Sequence, residues 1–401
     1  MRRRLEVPLD GCLRGHDRRG RGQARGPALG LSGPLLACLL LVGGLLLAPP
    51  VAAAEGRPEA TAAPQVEGEA VYGQRLVATR GSWVDGADLA FTFQWLRGGA
   101  PIAGATGKAY RPTTDDLGRR LSVRVTATDT AGESTSRTSA RTAGVRRAPL
   151  ASRRAPRVLG TARYGHVLRA TPGRWSSEPG RVRWTWYRGH GVEVGTGRRH
   201  RVEPGDVGRR LYVRAVATAA GHVPAAARSE RTAIVRHRVD VSRSVTYHVT
   251  THGHVTASVR RFARLAQQTY DDPRGWRAAG VHFRRVASGG DFTLVLAEAS
   301  TMTDFSSECS VHWSCRVGRY VVINQRRWRH ASPSWNKAGG TLRDYRNMVV
   351  DHETGHWLGL GHASCPGAGE PAPVMMQQSK DLGGCTFNPW PVASELATVA
   401  G

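Results

Sequence analysis

The run His352-Glu353-Thr354-Gly355-His356-Trp357-Leu358-Gly359-Leu360-Gly361-His362 decides how the last third of this chain reads. It has the form HExxHxxGxxH, with three imidazoles and one carboxylate at fixed spacing. His352 and His356 stand four apart, so on a helix both rings project from one face toward a common point. Glu353 sits one position round the helix, where its carboxylate reaches a water without itself binding a metal. Gly359 tolerates the positive φ of a helix stop, and the chain can then turn back to deliver His362. Three protein ligands with a fourth position left for water is the open arrangement of a catalytic zinc, whereas structural zinc sites are closed.

The flanking residues place this run on a helix. Thr341-Leu342-Arg343-Asp344 reads as a capping box. Leu342, Tyr345, Met348, Val349, His352 and His356 then follow at three- and four-residue steps along one face. Gly359 and Gly361 supply the stop. Downstream lies Ala372-Pro373-Val374-Met375-Met376-Gln377-Gln378. Taken alone, its methionine pair is ordinary core filling.

Together these features resemble the metzincin clan of zinc endopeptidases, in which a methionine turn lies beneath the metal. The resemblance implies Zn2+ held by His352, His356 and His362, with Glu353 as general base and proton carrier. It makes Met375 the turn residue and Met376 the alternate. One departure stands out. Many metzincins place a tyrosine shortly after the methionine, and this chain has Gln377 and Gln378. From about Val239 the sequence also resembles an actinobacterial domain family of unknown function, of the DUF3152 type. The residues that carry this are the DHETGHWLGLGH core, Cys365-Pro366-Gly367, the Pro-Val-Met-Met-Gln-Gln segment, and Gly384-Cys385 leading into Asn388-Pro389-Trp390-Pro391.

The whole chain has 401 residues, enough for two or three domains. Its formal charge of +26 comes from 54 arginines and only Lys108, Lys337 and Lys380. Such an imbalance looks like the codon bias of a GC-rich genome. The arginines are spread along the chain and no nucleic-acid signature is present, so specific nucleic-acid binding is not expected. Nonspecific attraction to anionic cell-wall polymers or lipid headgroups is. The N-terminus has arginines from Arg2 to Arg25, then an apolar run from Leu35 to Ala48, then Pro49-Pro50-Val51-Ala52-Ala53-Ala54. Residues 1–54 thus read as a secretory signal cleaved after Ala54, or as an uncleaved membrane anchor. The chain is expected outside the cell or on its surface.

Export permits disulfides. Cys12 and Cys38 fall within the export segment, which leaves Cys309, Cys315, Cys365 and Cys385. Of three possible pairings, the local one is favoured because each bond closes a short loop: Cys309 with Cys315 and Cys365 with Cys385. The second would staple the segment around Met375.

A duplication precedes the zinc motif. Gly81-Ser82-Trp83 recurs as Gly173-Arg174-Trp175, and Trp95-Leu96-Arg97-Gly98 as Trp186-Tyr187-Arg188-Gly189. Asp116-Leu117-Gly118-Arg119-Arg120-Leu121 recurs as Asp206-Val207-Gly208-Arg209-Arg210-Leu211. Two copies of about ninety residues follow, 62–146 and 154–236. Runs such as Leu121 to Ala127 alternate apolar and polar positions, as half-buried strands do. The copies resemble the Ig-like repeats of bacterial surface proteins, with the tryptophans in the sandwich core.

The expected architecture is therefore multidomain: two all-β Ig-like sandwiches followed by an α+β metzincin-like zinc-peptidase domain over 239–401. In that last domain, strands are expected at Val245–Val249, Val281–Val286, Phe292–Ala297 and Tyr320–Asn324, with a helix over Val255–Tyr270. The sheet edge could hold a substrate strand above the zinc. His248, His252 and His254 read as solvated histidines rather than a second metal site. The expected function is a secreted or surface-attached metallopeptidase acting on a peptide or protein, with possible wall-polymer contact through the repeats. The alternatives are a non-catalytic zinc-binding surface protein and an amidase acting on cell-wall peptides.

Overall fold

The computed structural model describes residues 57–84 and 88–401; the expected export segment, 1–54, lies outside them. Among the described residues no helix is long and apolar enough to cross a membrane.

Each sequence copy builds the same pair of facing antiparallel sheets. In the first, a three-stranded sheet (Val66–Glu67, Leu76–Ala78, Ala109–Tyr110) faces a four-stranded one (Ala100–Pro101, Ala90–Arg97, Leu121–Thr128, Ser134–Thr138). In the second, Val158–Leu159, Val167–Ala170 and Arg199–Arg201 face Val192–Thr196, Arg181–Arg188, Leu211–Thr218 and Ala225–Arg228. Alternation explains the burial: Leu121, Val123, Val125 and Ala127 are sealed in the core while Arg124 between them is exposed. Trp95 and Trp186 are wholly buried, and each satisfies its indole N–H on a backbone carbonyl, Gly107 and Gly197. They are core residues and form no open platform. The recurring aspartates are polar hubs inside each sandwich. Burial pushes the Asp116 carboxyl up, but the Thr113 N–H, Arg97 and Tyr110 outweigh it and hold it below its usual range.

The C-terminal lobe is built on a five-stranded sheet. Its strands are β1 (Arg243–His252), β2 (Val281–Arg285), β3 (Phe292–Ala297), β4 (Cys315–Val317) and β5 (Tyr320–Asn324), in the order β2-β1-β3-β5-β4. All neighbours are parallel except β4, which runs antiparallel to β5 at the edge. The helices are α1 (Val259–Tyr270), α2 (Gln325–His330), α3 (Pro333–Lys337), α4 (Leu342–Trp357) and α5 (Ala393–Ala400). The sequence reading missed β4, α2, α3 and α5. It also began α1 at Val255; the helix starts at Val259 because the Ser258 side chain accepts the Arg261 N–H.

Helix α4 is the spine of the lobe. At its start Thr341 Oγ1 accepts the Asp344 N–H at 3.1 Å, and its hydroxyl donates to Asp344 Oδ2 at 2.7 Å. The acidic partner therefore meets the cap hydroxyl, where a full capping box would bring it to the cap N–H. Eleven residues of α4 are buried, from Tyr345 to Gly355. They pack among Phe262, Tyr270, Trp276, Trp328 and Trp335, large side chains each worth about 1.5–3 kcal/mol on burial. Polar hooks fix the packing angle against α1: Thr269 Oγ1 donates to Asn347 Oδ1 at 2.9 Å, and Tyr270 shares a hydrogen bond with Thr354 Oγ1 at 2.9 Å.

Both favoured disulfides form. Cys309 pairs with Cys315 and Cys365 with Cys385, at Cα separations of 5.9 and 5.8 Å.

Candidate metal centre

Residues His352 and His356 lie on successive turns of α4, and Gly359, with φ near +100°, ends that helix and turns the chain toward His362. One ring nitrogen from each of the three histidines falls within 4.8 Å of the others. The Nε2 atoms of His356 and His362 are 3.2 Å apart, close to the roughly 3.3 Å that two imidazoles on one tetrahedral zinc require. Backbone carbonyls fix the orientation. His352 Nδ1 lies 2.8 Å from the Val374 oxygen and His356 Nδ1 lies 2.8 Å from the Leu360 oxygen. Each ring therefore carries its proton on Nδ1 and leaves Nε2 free for a metal. Burial, reinforced by the neighbouring imidazoles, holds His352 down at about 3, and burial also lowers His356 and His362. All three are neutral at physiological pH, the form that binds metal. The donor set fits a divalent transition metal, zinc among them.

Among the described residues this is the one cluster able to hold a metal. His248, His252 and His254 are not brought together. The His248 ring meets the Gly289 carbonyl, His252 pairs with Asp304 at 2.9 Å, and the His254 N–H binds Glu298.

Glu353 opens onto the same cavity, about 450 Å³ in volume, as the three histidines. Burial pushes its carboxyl up to about 8, with the Arg316 guanidinium pulling the other way. Arg316 itself reaches across from β4 and donates to the His356 carbonyl at 2.8 Å. One wall of the cavity is β4 with the loop that the Cys309–Cys315 bond ties to it; the facing wall runs from Met376 to Lys380.

Met375 is buried directly against α4. A Cβ added to Gly355 would run into the Met375 sulfur and stand 2.8 Å from the Trp276 ring, so only glycine fits there. The turn is anchored from below by Glu395 on α5. Its carboxylate accepts N–H groups from Val374 at 3.1 Å, Met375 at 2.8 Å and Val392 at 2.7 Å. Met376 follows on the cavity side. The two glutamines separate in role. Gln377 places its amide 3.2 Å from His362 Nε2, whereas Gln378 is buried and braces Pro373 and Asn388.

Sequence reasoning missed Arg316, Glu395 and Gly355. Arg316 lies in a three-residue strand too short to show a period. The Val392-x-x-Glu395 spacing is a capping pattern, but without the usual Ser or Thr it gives little warning. Gly355 was in plain view as a helix-interior glycine, which costs helix stability and so asks for a packing reason.

Residues 217–388 match the family described as "Protein of unknown function (DUF3152)". That stretch carries a DUF3152 domain. It begins within the strand Leu211–Thr218 and stops before α5, so the matched region takes in the end of the second repeat and most of the lobe. No curated protein matches the sequence. Solved structures similar to the chain include the D1-D2 fragment of Rst, at 14% identity and TM-score 0.22, covering 44% of this chain and 99% of that one. A three-domain fragment of titin matches at 17% identity and TM-score 0.25, covering 47% and 70%. The fibronectin(III)-like modules of Clostridium thermocellum CbhA match at 13% identity and TM-score 0.16, covering 44% and 95%.

Proposed function

We propose that the C-terminal lobe is a zinc-dependent metallopeptidase of the metzincin type, working outside the cell. The observation that carries this reading is the convergence on one cavity of three neutral imidazoles, two of them oriented by backbone carbonyls, and the Glu353 carboxylate. His352, His356 and His362 would hold the zinc; bound there, it supplies Lewis-acid chemistry, making water more acidic and polarising a peptide carbonyl. Glu353 takes a proton from the attacking water onto its carboxylate and passes it to the nitrogen of the leaving amine. Arg316, whose charge favours ionised Glu353, the form a general base needs, works against the burial that raises that carboxyl to about 8. The β4 edge offers unpaired backbone groups along the cavity for an extended substrate segment. Gln377 occupies the region where many metzincins carry a tyrosine, and its amide can donate to an oxygen that gains charge. Two disulfides in the lobe accord with an exported protein.

Arg316 and Lys380 line the cavity together with Glu308 and Glu353. Either cation could pair with a free carboxylate on a substrate, which keeps a second reading open, an amidase for wall peptides that bear free carboxylates. Incubating the exported chain with a mixed peptide library and with soluble wall peptides separates the two. New amino termini in the library that vanish on chelation support the peptidase; cleavage of wall peptides alone transfers the reading to the amidase. Cleavage of neither, at full zinc occupancy, rejects both.

A further inference from the structure

The duplicated sandwiches offer an internal comparison. Residues 62–146 contain ten arginines and one lysine against eight acidic residues, whereas 154–236 contain seventeen arginines against five acidic residues. A genome-wide codon bias acts on both copies alike, so it does not explain this difference.

The excess has a location. In the first copy the three-stranded sheet pairs Val77 with Ala109 across neighbouring strands; the same register in the second copy pairs Arg169 with Arg199. Leu168 and His200 point into the core, so alternation turns Arg169, Arg199 and Arg201 outward, and all three are exposed. Arg169, Arg198 and Arg199 line a shallow hollow of about 440 Å³. Among the described residues none of these four arginines is in an ion pair; Arg198 reaches only a backbone carbonyl, that of Ala170, at 3.3 Å. Two like charges directly opposite on neighbouring strands destabilise a sheet, so this pairing works against the fold unless something anionic sits over it.

We infer that this face of the second sandwich is a binding site for a linear phosphate-bearing surface polymer. Guanidinium forks match phosphate oxygens in pairs. Arg199 and Arg201, two residues apart on one strand, repeat at about 7 Å, a spacing a flexible polyanion can follow. The exposed apolar neighbours on this sheet, Leu159 and Val167, are aliphatic. Single-stranded nucleic acid needs aromatic platforms for its bases, and these residues supply none. The site is independent of the zinc chemistry and would tether the lobe to an anionic surface.

The test is titration of the full exported chain with poly(glycerol phosphate) across a salt series. Wild type should bind. The R169S/R199S pair should weaken binding about tenfold near physiological salt and flatten the log–log salt slope by between one and two. The charge-matched pair R75S/R137S in the first copy should change affinity less than about twofold if position rather than net charge matters. Equal losses from the two pairs, no binding by wild type, or tighter binding of an oligothymidine of equal charge would each overturn the inference. Thermal unfolding without polymer gives a second readout. R169S should match or exceed the wild-type midpoint, and a fall would make Arg169 a structural residue.

Discussion

Substituting Gly355 by alanine tests whether the methionine turn is packed as tightly as described. Two effects oppose each other. Alanine is favoured over glycine inside a helix by about 1 kcal/mol. Against that, the new methyl meets the Met375 sulfur and stands 2.8 Å from the ring of Trp276. Met375 can give way, but Trp276 is fully buried and fixed by its N–H bond to the Asp351 carbonyl at 2.9 Å. Overpacking of a rigid core costs about 1–3 kcal/mol, and the ring places this site at the upper end. The net is a loss of about 2 kcal/mol, or roughly 4–8 °C for a domain of this size. The same displacement drags Val374, whose carbonyl orients His352, so metal affinity should fall about tenfold. Calorimetry of G355A with chelator present, followed by competitive zinc titration, reads both. A midpoint above wild type would mean that helix propensity wins and that the turn does not press on α4.

Four further outcomes follow. Removing the third ligand in H362A should weaken zinc binding by at least about a hundredfold while leaving the metal-free midpoint nearly unchanged, because this side chain is exposed; unchanged affinity in a zinc titration would exclude His362 as a ligand. Acidification should release zinc only below pH 6.5, since burial holds all three imidazoles under their ordinary value of 6.5; dialysis that strips the metal above that pH contradicts the site. Folding raises the Glu353 carboxyl from 4.5 to about 8, so the folded metal-free chain holds a proton the unfolded chain has lost, and stability contributed below pH 4.5 drains away as pH rises toward 8. E353Q should therefore gain on wild type in metal-free midpoint as pH rises through that window; a constant difference refutes the burial. Lastly, C365S/C385S should lose about 3 kcal/mol, the chain entropy of closing a 20-residue loop, visible as a lower denaturant midpoint.

The cluster of three histidines was legible because it is compressed into eleven residues whose spacing is set by one helix and one glycine. The sandwiches were legible for a different reason. A ninety-residue duplication repeats its turns and core tryptophans, so each copy annotates the other. The two disulfides followed from loop length alone. What escaped reading depends on contacts distant in sequence. Strand β4 exists because β5 offers it an edge, and nothing in Cys315-Arg316-Val317 signals extension. Glu395 matters through the backbone of Val374 and Met375, some twenty residues away. The early start assigned to α1 arose because Val255 packs on the core and so continues the helical apolar pattern without being helical. The arginine excess of the second copy was countable in the sequence, but reading the charge as evenly spread concealed it. Only the strand register showed two arginines facing each other.

The central claim is that the three histidines hold one zinc and that Glu353 turns it to hydrolysis. Metal content and peptide turnover, measured together on wild type and E353Q, test it most directly. The account predicts one zinc per chain in both proteins, with turnover lost by at least about a hundredfold in the variant, as removal of a general base requires. Near-native turnover by fully loaded E353Q would contradict it, and so would a wild-type chain that binds no zinc.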